Sequence, residues 1–149
     1  RGFQDDAEIT EEVPVQQDKL TIVIPRESIT DMALENLQKI IANKQILFQR
    51  AFRTDNTEIE ITDEKINFTW FLYTVDGDEI AAYTQFISRL CDMARDAKRV
   101  SSKPTETDND KYAFRCFLLR LGFIGKEYKT ARKILLRNLT GNSAFRCGE

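Results

Sequence analysis

The chain has 149 residues, of which 42% are hydrophobic and 31% are charged, and these proportions are typical of a folded globular domain. No apolar run exceeds four residues, whereas a membrane-spanning helix needs about 20, so the sequence excludes such a helix. Histidine is absent, which excludes histidine-dependent catalytic triads and histidine-containing zinc sites.

Charge is distributed unevenly along the chain, although the net formal charge is only −2. Residues 1–93 carry a net charge of −9, residues 94–110 are neutral, and residues 111–149 carry +7. This asymmetry indicates either an anionic partner for the basic part or the docking of one part of the chain on the other.

The first part of the chain predicts an acidic tail followed by a strand and a helix. Residues 1–18 are acidic and poor in large apolar groups, so we expect a tail or linker there. The β-branched run that ends at Pro25 is typical of a strand. Ser28 or Thr30 can cap the following helix, whose apolar residues recur at helical spacing as far as about Phe52.

Alternation of apolar and polar residues predicts a hairpin over residues 57–71. The pattern continues on both sides of Asp63 and Glu64, which we expect to form the turn. Glu58 and Glu60 then lie on the polar side of the first strand. Together with the acidic turn they could ligate a cation, but a solvated strand face is the commoner explanation of such residues.

Helices account for most of the remaining chain. We expect a helix over residues 78–100, a polar linker over residues 101–110, and a largely apolar, buried helix over residues 111–121. Gly122 suits a left-handed helix C-cap. A second, amphipathic helix over residues 126–139 completes a C-terminal hairpin.

The order of elements is therefore β-α-β-β-α, a linker and two further helices, and it predicts the α+β class. We expect a small, mainly antiparallel sheet with the C-terminal helical hairpin packed on it. In this interpretation residues 19–149 form a single domain. Residues 19–100 hold the β-α-β-β-α unit, residues 101–110 the linker, and residues 111–149 the hairpin and a tail.

Five stretches of the chain resemble a family labelled virulence-related or virulence-associated proteins. They are LTIVIP, ALENLQKIIANK, AAYTQFISRLCDMA, KYAFRCFLLRLGFIGKEYKTARKILLRNL and TGNSAFR, which together run from about Leu20 to Arg146. The family occurs in Firmicutes, largely on conjugative elements and prophages, so the resemblance implies a mobile-element accessory protein of a bacterial cytoplasm. It also implies the C-terminal part of a longer protein, and because the chain begins with Arg1 we expect a preceding segment. The family provides no catalytic or binding residues to carry over.

The last predicted helix carries the clearest functional signal. At about 100° per residue, basic residues collect on one side and apolar residues on the other. The basic stripe consists of Lys126, Lys129, Lys133 and Arg137, with Arg120 and Arg132 nearby. The apolar side consists of Tyr128, Ala131, Leu135 and Leu139. Three explanations fit the basic stripe: a solvated or internally paired surface, contacts with nucleic-acid phosphates, or docking on an acidic protein.

These observations predict a non-enzymatic interaction module that binds a protein partner through its basic C-terminal helix. Binding to a nucleic-acid backbone is the alternative. No GxxxxGK[ST], GxGxxG or GxSxG motif occurs, so we expect no cofactor, no catalytic residues and no metal. The three cysteines are scattered without a CxxC motif, which favours a reducing compartment, and we expect a cytoplasmic protein. The identity of the partner and the oligomeric state stay open.

Overall fold

The computed structural model of the chain describes residues 19–98, 100–101 and 109–139. Within these ranges the chain forms three strands, β1 to β3, and five α-helices, α1 to α5. The strands are β1 (Lys19–Pro25), β2 (Glu60–Ile61) and β3 (Lys65–Leu72). The helices are α1 (Asp31–Asn43), α2 (Gln45–Phe52), α3 (Gly77–Asp96), α4 (Asp110–Leu121) and α5 (Lys129–Leu136). Short 3-10 turns cover Arg26–Ser28 and Lys126–Tyr128.

The three strands form one antiparallel sheet in which β3 is central and pairs with both β1 and β2. The register between β1 and β3 shifts between Leu20 and Ile22, because β3 has one extra residue opposite this point. This bulge lets Trp70 and Phe71, which are neighbours in the chain, both enter the core. The α+β class and the antiparallel sheet predicted from the sequence are thereby confirmed.

Side-chain caps begin the three longer helices. In each case a side-chain oxygen accepts a hydrogen bond from a backbone N–H of the first helical turn, which would otherwise lack a partner. The capping residues are Thr30 for α1, Asp76 for α3 and Asn109 for α4. At the other end of α4, Gly122 adopts φ +108°, which confirms the predicted left-handed C-cap.

A cluster of aromatic rings ties the sheet to the helices. The ring centroid of Phe48 on α2 lies 5.7 Å from that of Trp70 on β3. It also lies 5.5 Å from the ring of Phe86 on α3 and 6.1 Å from that of Phe114 on α4. All four side chains are fully buried. Each such pair contributes about 0.5–1.5 kcal/mol beyond the burial of its area. Because the four rings come from α2, β3, α3 and α4, this cluster joins the sheet to three helices.

The helix expected to run to Phe52 is divided at Lys44 into α1 and α2. Neither glycine nor proline lies at the break. Instead, the break lets α1 pack on α3 while α2 packs on β3 and α5. Lys44 itself is half-buried, and its ammonium group lies 5.4 Å from the ring centroid of Phe117. The position of the helix break at Lys44 is therefore set by tertiary contacts and not by a helix-breaking residue.

The first strand of the hairpin is shorter than the sequence pattern predicts, since β2 has only two residues. The preceding residues bend: the N–H of Asn56 donates to Thr54 Oγ1 at 3.3 Å, and the N–H of Glu58 donates to Asn56 Oδ1 at 2.7 Å. The indole N–H of Trp70 donates to the Glu58 carbonyl at 3.1 Å. These hydrogen bonds, two local and one from the central strand, take the place of the strand ladder.

Two further bounds differ from the prediction. Helix α3 ends at Asp96 because Ala97 has extended backbone angles, φ −71° and ψ 136°. The last helix opens with a 3-10 turn, and α5 itself begins only at Lys129. The predicted tail over residues 1–18 and residues 102–108 of the predicted linker lie outside the described residues.

Candidate functional site

The apolar side of α5 faces the core, as its periodicity predicts. Ala131, Leu135 and Leu139 are buried, and Tyr128 is half-buried. This side packs against α3 and α4. The opposite side of α5 therefore faces solvent.

Three members of the basic stripe lie on the solvent-facing side. Lys126, Lys129 and Lys133 are all exposed. Among the described residues, no carboxylate oxygen lies within 4.0 Å of their ammonium nitrogens. The exposed carboxylate of Glu127 accompanies them, so this surface carries a local net charge of +2. We call Lys126, Lys129 and Lys133 the lysine face.

The fourth member, Arg137, faces a neighbouring helix instead. Its guanidinium lies 2.8 Å from a carboxylate oxygen of Glu79 on α3 and donates to the Tyr83 hydroxyl at 3.3 Å. The carboxylate also accepts a hydrogen bond from the Thr74 hydroxyl. The hydrogen bonds from Thr74 and from Arg137 hold the pKa of Glu79 below its ordinary value. Arg137, whose side chain is still 44% exposed, thus forms an ion pair that attaches the end of α5 to α3.

The two neighbouring arginines also have local structural roles. Nη1 of Arg132 donates to the carbonyl oxygens of Phe123 at 2.9 Å and Gly125 at 3.0 Å, which ties α5 to the turn before it. Arg120 is exposed, and its guanidinium lies 5.7 Å from the ring centroid of Phe117. Burial, and secondly the charge of Arg120, lower the pKa of Lys44.

A further arginine, which the sequence pattern did not single out, holds the turn between α4 and α5 from the inside. Arg89 on α3 donates to the Leu121 carbonyl at 3.4 Å and to the Tyr128 hydroxyl at 2.5 Å. Its guanidinium lies 5.1 Å from the Tyr128 ring centroid and 5.8 Å from that of Phe123. The sequence does contain a signal for this role. Arg89 follows Phe86 by three residues, so helical spacing places it next to the apolar stripe of α3.

The same turn exposes one large apolar side chain. Phe123 is fully buried, but the next residue, Ile124, is 62% exposed. Ile124 immediately precedes Gly125 and the lysine face in the chain. Arg89 and Arg132 donate hydrogen bonds to carbonyl oxygens of this turn, and the turn exposes Ile124 to solvent.

A polar cleft of about 310 Å³ lies where α2, β3, α3 and the end of α5 meet. Its polar lining consists of Arg53, Thr74, Glu79, Tyr83, Arg137 and Asn138. Burial raises the pKa of Tyr83 above its ordinary value. Arg53 follows α2 with φ 54° and ψ 48°, and it is the one non-glycine residue with positive φ in the described part of the chain. Sequence reasoning gave no cue for this cleft, because its residues come from four separate elements.

A wider groove of about 620 Å³ runs between α1, α2 and the segment before β2. Glutamine side chains from both helices line it, and none of its lining residues is basic. Glu58, one of the two acidic strand residues, lines this groove, whereas Glu60 accepts a hydrogen bond from the Asn67 amide at 2.8 Å. Across the residues that the structure describes, no group of three histidine, cysteine or acidic side chains could hold a metal ion.

Comparison with protein-family models, curated proteins and solved structures finds no match to this chain. None of the helices within the described ranges has the length and apolar character needed to cross a lipid bilayer.

Proposed function

We propose that the protein is a non-enzymatic interaction module that binds a partner protein through the lysine face and Ile124. The observation that carries the proposal is the 62% exposure of Ile124 beside three exposed lysines. Protein interfaces combine an apolar centre with a polar rim. A nucleic-acid backbone attracts cations but gains little from an isoleucine. The combination therefore favours a partner that presents carboxylates around an apolar contact.

The turn that presents Ile124 is already held by side-chain hydrogen bonds, which favours binding. Arg89 and Arg132 together satisfy three backbone carbonyls around it. Ordering a loop on binding opposes association, and a turn already fixed in one conformation avoids that cost. The resemblance to mobile-element accessory proteins supports a partner in the transfer machinery or in host defence.

Affinity capture from the host with charge-reversal variants tests the proposal. The test variant is Lys126→Glu, Lys129→Glu and Lys133→Glu in one chain. The control reverses three exposed lysines elsewhere, Lys19, Lys65 and Lys98, and so changes the net charge equally. We expect the wild type and the control to recover a common partner that the test variant loses at least ten-fold. Equal recovery of every captured protein by the test variant would contradict the proposal.

Nucleic-acid backbone binding is the second candidate. The observation that favours it is that no carboxylate of the described residues forms an ion pair with the lysine face. A fluorescence-anisotropy titration with duplex DNA at several salt concentrations examines it directly. Three phosphate contacts predict a slope of about −2.7 for log K against log salt concentration. Micromolar binding with this slope, removed by the lysine reversals and unaffected by Ile124→Ser, would replace the partner protein with a nucleic acid.

A further inference from the structure

The polar cleft is distinct from the lysine face and has a surplus of hydrogen-bond donors. Its ionised lining residues are Arg53, Arg137 and Glu79, so its net charge is +1. Both oxygens of the Glu79 carboxylate already have partners, one in the Thr74 hydroxyl and one in Arg137. The acceptor side of the cleft is thus largely satisfied by the protein itself.

The donors of the cleft are only partly used. The Tyr83 hydroxyl accepts a hydrogen bond from Arg137, which leaves its own proton available to donate. A guanidinium has five N–H groups, and Arg137 uses one on Glu79 and one on Tyr83. The guanidinium of Arg53 has no ionic or hydrogen-bonding partner among the described residues, and Arg53 lines both this cleft and the adjoining one beside Asp110.

The remaining walls are apolar. Phe52, Phe71 and Leu72 line the cleft, and the Phe71 ring stacks on the Tyr83 ring with centroids 4.5 Å apart. Tyr73 lies at the rim and is 58% exposed. A volume of about 310 Å³ is at the lower end of the range for small-molecule sites. A cleft lined by both apolar side chains and two guanidinium groups matches a molecule with an apolar body and an anionic end.

We propose that the polar cleft binds a small oxyanion, a carboxylate or a phosphate monoester carried on an apolar group, through Arg53, Arg137 and the Tyr83 hydroxyl. The guanidinium of Arg53 forms no ion pair within the described residues, so its charge is available to the ligand. Its left-handed backbone turns the chain away from α2 at the mouth of the cleft. Arginine has no intrinsic preference for this conformation, whereas glycine adopts it readily.

The conformation of Arg53 provides a variant that keeps the fold. Arg53→Gly removes the guanidinium and relieves the backbone, so it is expected to fold at least as well as the wild type. The probes are phenyl phosphate and benzoate, with phenol as an uncharged control. Binding to the full chain is followed by ¹H–¹⁵N correlation spectra. Arg120→Ala, which removes an exposed arginine that does not line the cleft, is the matched control.

We expect saturable shifts at the amides of residues 52–53, 71–74 and 137–138, with at least one oxyanion probe binding at millimolar concentration or better. Arg53→Gly should weaken this binding at least ten-fold, Arg120→Ala should leave it unchanged, and phenol should bind at least ten-fold more weakly. The stronger of the two oxyanion probes identifies the anionic group. The proposal is overturned if neither oxyanion gives saturable shifts at these amides, or if Arg53→Gly binds as tightly as the wild type.

Discussion

Gly122 is the position where a single methyl group should disturb the turn that presents Ile124. Its φ is +108°, and a Cβ atom there would lie 2.5 Å from Nη1 of Arg89. A guanidinium can move aside, but this one donates to the Leu121 carbonyl and to the Tyr128 hydroxyl. We therefore expect Gly122→Ala to lower the free energy of unfolding through backbone strain and through the loss of these two hydrogen bonds.

Two other described glycines provide comparisons. Gly125 has φ +96° and ψ 175°, a backbone region that only glycine adopts readily, and a Cβ atom there would have no neighbour within 4 Å, so Gly125→Ala carries backbone strain alone, about 1–3 kcal/mol. Gly122 has φ +108° and ψ 10°, where the strain of an alanine is about 1–2 kcal/mol, and the loss of two hydrogen bonds at about 0.5–1.5 kcal/mol each gives a total of roughly 2–5 kcal/mol. Gly77 at the start of α3 has neither problem, and Gly77→Ala should be neutral or slightly stabilising.

Urea denaturation of the full chain, followed by far-ultraviolet circular dichroism, measures these differences. Gly77→Ala should be the most stable of the three variants. In an Arg89→Ala background the clash and the two hydrogen bonds are absent, so Gly122→Ala should cost only its backbone strain, about 1–2 kcal/mol, whereas the cost of Gly125→Ala should not depend on the background. If Gly122→Ala costs as much in the Arg89→Ala background as in the wild type, Arg89 does not brace the turn and the reasoning is refuted.

Three further predictions concern α3 and its neighbours. The lowered pKa of Glu79 means that its carboxylate stabilises the fold at neutral pH, and this contribution is lost as the pH falls through about 4.3 and below. Urea titrations from about pH 6 to 3 should therefore show that the free energy of unfolding falls less for Glu79→Gln than for the wild type. Equal decreases would refute the stabilising role of the Glu79 carboxylate. Burial raises the pKa of Cys91 to about 11, so in a Cys116→Ser, Cys147→Ser background its alkylation at pH 8 should be at least about 100-fold slower in the folded chain than in urea; comparable rates would show an accessible thiol. Asp76→Ala removes the acceptor for two N–H groups of α3 and should cost about 1 kcal/mol in urea unfolding, whereas Asp76→Asn should cost less; equal costs would rule out the capping role.

Much of the fold could be predicted because it depends on local chemistry. The cap at Thr30 and the left-handed Gly122 each follow from the residue and its immediate neighbours. The break at Lys44 and the shortness of β2 could not be predicted in this way. The break depends on which elements α1 and α2 contact, and β2 is shortened by a hydrogen bond from Trp70, twelve residues along the chain from Glu58.

The same distinction applies to the candidate site. Helical periodicity correctly placed Lys126, Lys129 and Lys133 on the side of the last helix that faces solvent. It placed Arg137 with them, but Glu79 and Tyr83 on α3 draw its guanidinium away. Periodicity describes one helix at a time, so it contains no information about an ion pair between residues 58 positions apart in the chain. The polar cleft could not be predicted for the same reason.

The most direct test of the proposed interaction surface is the affinity of Ile124→Ser for the captured partner, measured at low and high salt. Ile124 is 62% exposed, and burying it is worth about 1–2 kcal/mol, which corresponds to roughly a 5- to 25-fold change in the dissociation constant. We predict that Ile124→Ser weakens binding by this factor at both salt concentrations, while the lysine reversals weaken it mainly at low salt. Binding of Ile124→Ser that equals the wild type at both salt concentrations would contradict the account.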